Sequence, residues 1–207
     1  APVANAGPNE SGAEGSTVTF AGSVTGGTAP MTYVWAFGDG GTATGSLTPS
    51  HVYAEAGSYT ATLTVTDSLG RSSSSSDTVA VSDVTPTANA HGPYSANAGS
   101  AIAFTGSATD SPADTASLQY SWAFGDGTTS TLQNPSHTYA NGGTFQVVLT
   151  VKDADGLTAT ANATATVNAP PPPPTANAGP NESGAEGSTI TFAGSVTGGT
   201  APMTYVW

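Results

Sequence analysis

The chain has 207 residues, a formal charge of −12, only two basic residues (Arg71 and Lys152) and no cysteine. Two cations cannot displace the counterions of a nucleic acid, so nucleic acid is excluded as a partner, and an anionic membrane surface is disfavoured for the same reason. Without cysteine there is neither a disulfide staple nor thiol chemistry, which leans towards a bacterial or archaeal surface protein, or an intracellular one. No stretch reads as a signal peptide or a membrane span, and no membrane insertion is expected in this segment.

The chain repeats itself, which fixes its organisation before any element is read. Pro2 to Trp35 returns almost unchanged as Pro174 to Trp207, and TYVWAFGDG at 32–40 returns in weaker form as QYSWAFGDG at 119–127. Two unlike units therefore alternate. The expected divisions are 1–84, 85–169, a polyproline linker at 170–174, and the start of a third unit at 175–207.

In chain order, Val18/Phe20 and then Tyr33/Trp35/Phe37 alternate apolar with polar residues, the period of a half-buried strand. Tyr59 to Thr66 continues the pattern with threonine at every other position, and Val79/Val81 predicts a last strand of unit one. Unit two repeats the series as Ile102/Phe104, Tyr120/Trp122/Phe124, Phe145/Val147/Leu149/Val151 and Val167. Gly, Asn, Asp and Pro clusters separate the runs. Short strands at this spacing, with a tryptophan in a middle strand, predict an all-β fold of tandem immunoglobulin-like β-sandwiches. Ser82 to Thr87 is a short connection between close neighbours, whereas Pro170 to Pro174 predicts a stiff polyproline II spacer.

Unit one carries Trp35-Ala36-Phe37-Gly38-Asp39-Gly40, then Pro49-Ser50-His51-Val52-Tyr53, Gly57-Ser58-Tyr59 and Leu63-Thr64-Val65-Thr66-Asp67. Unit two carries Trp122-Ala123-Phe124-Gly125-Asp126-Gly127, Pro135-Ser136-His137-Thr138-Tyr139, Gly143-Thr144-Phe145 and Leu149-Thr150-Val151-Lys152-Asp153. This ordered set resembles the PKD (polycystic kidney disease repeat) domain. The resemblance implies an extracellular immunoglobulin-like sandwich used as a spacer or binding module in surface proteins, adhesins and secreted hydrolases. The family usually places Asp after the tryptophan; Ala36 and Ala123 stand there, so any role of that carboxylate is lost.

Asp39 and Asp126 read as turn residues between glycines. His51 and His137 lack the neighbouring ligands or nucleophile that a metal or a triad requires, and read as end-of-sandwich hydrogen bonders. His91 is solitary. The resemblance also implies a calcium site in unit two from Asn89, Asp110 and Asp114, against the alternative of solvated loop carboxylates. Asp153-Ala154-Asp155-Gly156 is a further Asp-rich turn. Asn9, Asn162 and Asn181 begin N-linked glycosylation triplets. No catalytic set emerges, and no cofactor beyond that calcium is implied.

The expected function is non-enzymatic: an extracellular or cell-surface stalk, fibre or filament whose partners are neighbouring copies of itself, with glycans as further candidates. The uniformity of the repeat, which extends even to the loop TGGTAP (25–30, again 197–202), supports this, and the chain reads as a window from a longer periodic molecule. A carbohydrate- or protein-binding accessory module of a secreted hydrolase and an adhesin segment are the alternatives. The first requires a planar set of exposed aromatics, with Tyr94, Tyr53 and Tyr139 as candidates.

Overall fold

The computed structural model describes residues 1–204 and Val206, so the core position expected for Trp207 lies outside them. Strands and turns account for all regular structure among the described residues. Unit one contains β1 (Pro2–Asn5), β2 (Glu10–Ala13), β3 (Thr17–Thr19), β4 (Ser23–Gly26), β5 (Thr32–Ala36), β6 (Thr42–Thr44), β7 (Ser50–Val52), β8 (Gly57–Thr66) and β9 (Ser72–Ser82). Its main sheet has the order β2-β9-β8-β5-β6, antiparallel except where β2 runs parallel to β9. The pairs β1–β4 and β3–β7 supply the facing layer, as expected of a sandwich.

The alternation read from the sequence sets which face is buried. Ala61, Leu63 and Val65 of β8 are fully buried beside Trp35, Phe37 and Val79. The intervening threonines face outward, where Thr62 meets Ser76 at 2.8 Å and Thr64 meets Ser74 at 2.9 Å across the β8–β9 ladder. Paired hydroxyls satisfy each other and give the exposed face a polar cover without charge.

Unit two repeats the plan with β10 (Thr87–Asn89), β11 (Tyr94–Asn97), β12 (Ala101–Ala103), β13 (Ser107–Thr109), β14 (Gln119–Ala123), β15 (Thr129–Ser130), β16 (Ser136–Thr138), β17 (Gly143–Lys152) and β18 (Thr158–Asn168). The sheet order β11-β18-β17-β14-β15 corresponds strand for strand to that of unit one. Trp35 and Trp122 are both wholly buried. A glycine lies over each indole: a Cβ on Gly22 would sit 2.7 Å from Trp35 Cζ2, and one on Gly106 3.0 Å from Trp122 Cζ2. Trp122 Nε1 donates to Gln133 O at 3.2 Å, whereas Trp35 Nε1 has no partner.

The third copy shows how little of this is local. Residues 174–207 differ from 2–35 only at Thr175 (Val3) and Ile190 (Val18), yet the described residues among them form just β19 (Thr175–Asn177) and β20 (Ser195–Thr197), the counterparts of β1 and β4. That is the one pair whose two strands both lie inside the copied segment. In unit one β2 pairs with β9, β3 with β7, and β5 with β8, and each of those partners follows Trp35 in sequence. Phe192 is accordingly 64% exposed, against 1% for its counterpart Phe20. Strand propensity alone does not hold a strand; its ladder partner and core do.

Candidate functional site

Each sandwich is closed at one end by the same clasp. The turn after β5 carries Phe37-Gly38-Asp39-Gly40, and β7 carries His51. Asp39 Oδ1 accepts from Gly41 N at 2.8 Å, and its Oδ2 meets His51 Nε2 at 2.6 Å. The imidazole stacks on Phe37 with centroids 4.1 Å apart and meets Tyr53 edge-on at 4.8 Å. Tyr53 is buried and donates its hydroxyl to Phe37 O at 3.0 Å. Unit two reproduces the set: His137 Nε2 to Asp126 Oδ2 at 2.8 Å, Phe124 stacked at 4.3 Å, and Tyr139 donating to Phe124 O at 2.8 Å. A tight Asp turn, a histidine and a tyrosine far apart in sequence thus form one unit.

Its electrostatics are those of a structural clasp. Burial drives both tyrosine hydroxyls up to about 12, which keeps them neutral donors. Partial burial works against ionisation of Asp126, but hydrogen bonds from Thr128 and His137 outweigh it and hold the carboxyl down to about 2. Thr128 Oγ1 also lies 3.3 Å from His137 Nε2, so a hydroxyl, an imidazole and a carboxylate meet. They do not form a triad: there the carboxylate orients one ring nitrogen and the nucleophile faces the other, whereas here both converge on Nε2.

Tyr94, Asn89, His91 and Asn9 are also engaged within their own units. Tyr94 packs on Phe104 at 4.4 Å and donates to Ala90 O at 2.7 Å. Asn89 Oδ1 accepts from His91 N at 2.8 Å, and His91 Nε2 reaches Ser107 Oγ at 3.0 Å. Asn9 Oδ1 accepts from Thr78 N at 3.1 Å, Asn162 lies in β18 opposite Val148, and Asn181 is exposed. Ala36 and Ala123 are exposed at the ends of β5 and β14.

The structure brings together one carboxylate set that spacing could not reveal. Glu14, Asp83, Asp114 and Asp155 each place an oxygen within 4.8 Å of the others, although they come from unit one, the connection and two loops of unit two. Glu14 is 3% exposed; its N donates to Ser82 O, its Oε1 accepts from Val84 N at 3.1 Å, and its Oε2 has no partner. Asp114 is equally buried and accepts from Ser111 Oγ at 3.0 Å. Asp110 bonds its neighbour Ser111 N, leaving Oδ2 unpartnered. Burial, together with Asp114 and Asp83, raises the Glu14 carboxyl above its ordinary range against the Val84 hydrogen bond, and burial with Asp153 and Asp155 raises Asp83. Two like charges at such a separation repel by on the order of 3–4 kcal/mol at a surface-like dielectric. Among the described residues, no basic side chain pairs with any of the four.

Tandem sandwiches that each carry this clasp define a class of immunoglobulin-like modules. The PKD domain family matches residues 1–82 and again 83–169, and the chain belongs to that family. The chain is 46% identical over 72 residues to collagenase ColA of Bacillus cereus, covering 35% of this chain and 7% of that one. It is 34% identical over 115 residues to collagenase ColQ1 of Bacillus cereus, covering 55% and 12%. The chain thus spans about an eighth or less of the length of these curated relatives. Among solved structures, the PKD1 domain of Vibrio anguillarum Epp aligns at 30% identity with a TM-score of 0.37, over 43% of this chain and all of that one.

Proposed function

We propose that the chain is a non-catalytic, extracellular spacer segment of a larger hydrolase-type protein, holding other parts at a set distance. The observation that carries this reading is that the clasp histidines, aspartates and tyrosines are spent inside the sandwiches. Each clasp histidine, aspartate and tyrosine bonds a partner in its own unit, and Tyr53, Tyr139 and Tyr94 present no stacking platform. The collagenase relatives support a hydrolase context, and they also support an extracellular location, since collagen is an extracellular polymer. The near-identity of 2–35 and 174–207 favours a second reading, a stalk of repeated units packed against copies of itself.

Co-sedimentation of the chain with insoluble collagen, chitin and cellulose tests the spacer reading. The chain is expected to stay in the supernatant with all three; firm retention on any of them would establish a binding module instead. Sedimentation equilibrium separates the second reading, since a self-packing stalk raises the mass with concentration and a spacer stays monomeric.

A further inference from the structure

We propose that residues 174–198 take the place of residues 2–26 in unit one of a second copy, joining chains head to tail by strand exchange. The proposal does not depend on the spacer reading; it assigns unit one a seat for a segment of its own kind. Residues 2–26 hold β1 to β4 and run into the exposed loop TGGTAP (25–30) that leads to β5. Their partners lie further along the chain. β2 bonds β9 and β3 bonds β7. Beyond those ladders, Glu14 N donates to Ser82 O, Gly15 N to Tyr53 O, Phe20 N to Pro49 O and Gly22 N to Leu47 O. Phe20 packs against Trp35 and Phe37, with ring centroids 5.0 and 5.1 Å away. The groups that receive this segment all follow the loop, so the rest of unit one is a seat shaped to one sequence.

Residues 174–198 are that sequence a second time, with two differences. Val3 is 60% exposed, so Thr175 in its place alters no core contact. Val18 is 4% exposed, so Ile190 adds one methylene to a filled position and disfavours the incoming segment slightly. The local shape of the segment is already made. β19 and β20 pair in the register of β1 and β4. Gly179 N donates to Asn177 Oδ1 at 2.9 Å, as Gly7 N does to Asn5 Oδ1. Ser188 N donates to Ala185 O, as Ser16 N does to Ala13 O. Among the described residues the third copy meets no counterpart of β7 or β9. Both stand in unit one.

The seat is that of a second copy because the segment's own chain holds it away from its own unit one. Asp155, in the turn before β18, has an oxygen within 4.8 Å of those of Glu14 and Asp83, so that turn lies at the junction with unit one. β18 then runs eleven residues to Asn168, about 33 Å at the rise of a strand. The five prolines that follow reach only ~15 Å and are stiff. Each chain therefore offers one segment and one seat at separate places, a heterologous contact that extends without closing. Residues 2–26 are tethered beside the seat through the loop, and their high effective concentration keeps the native chain closed at micromolar concentration. Exchange follows when that segment is dislodged.

Sedimentation equilibrium of the 207-residue chain, its F20D variant and the F20D/F192D variant tests this, with amide exchange on each. F20D expels the resident segment from the core of unit one but leaves Phe192 to replace it. The native chain should stay monomeric, and F20D should gain mass with concentration, with Gly184 and Ile190 protected tenfold or more above their native level. F20D/F192D should return to a monomer with neither residue protected. An F20D chain that stays monomeric overturns the proposal. So does association that F192D leaves unchanged, or association without protection of Gly184 and Ile190, since either marks unspecific clustering of an opened unit.

Discussion

Gly38 and Gly40 share a turn but face different demands. Gly38 has φ +91° and a Cβ there would lie 2.7 Å from Thr60 O; Gly40 has φ +94° with nothing within 4 Å. G40A meets only the backbone penalty, about 1–2 kcal/mol, whereas G38A adds a clash with main chain that cannot move aside and should cost clearly more. Urea unfolding of the two variants checks the order. Asp77 of β9 offers the opposite case. It is 5% exposed, neither oxygen has a partner, and burial with the nearby Glu10 raises its pKa. Unit two has Ala163 in its place. A carboxyl raised on folding weakens the native state while ionised, and that penalty vanishes below the unfolded value of 3.8. D77A should therefore gain roughly 1–3 kcal/mol at pH 7 and lose most of that advantage below about pH 4. Denaturant midpoints at the two pH values measure it.

Strands were legible because one face is buried: Phe145, Val147, Leu149 and Val151 announce β17 by period alone. Short strands such as β6 and β15, and the parallel addition of β2 to β9, were not legible, since their pairing partners lie far along the chain. The clasp was half visible. Its motifs stood out, but the sequence separation of 12 from Asp39 to His51 concealed that they bond each other. The junction carboxylates were less visible still: Asp114 and the Asp153–Asp155 turn drew notice, while Glu14 and Asp83 carried no signal, being 69 residues apart (14 to 83) and joined only by the fold. The twin segments make the same point experimentally. Amide exchange should protect Gly12 and Val18 strongly and their counterparts Gly184 and Ile190 little, because only the first pair has strands to bond. Equal protection in both copies would mean that the 34-residue segment forms strands without its sandwich.

At the scale of the whole chain, two closed sandwiches are connected where Gly15 approaches Pro112 to 3.5 Å from its implied Cβ and four carboxylates converge. A spacer transmits distance only if such connections resist bending, so the account rests on the junction being stiff. Backbone ¹⁵N relaxation of the intact chain measures this most directly. Units one and two should share one rotational diffusion tensor. Separate tumbling would contradict the account.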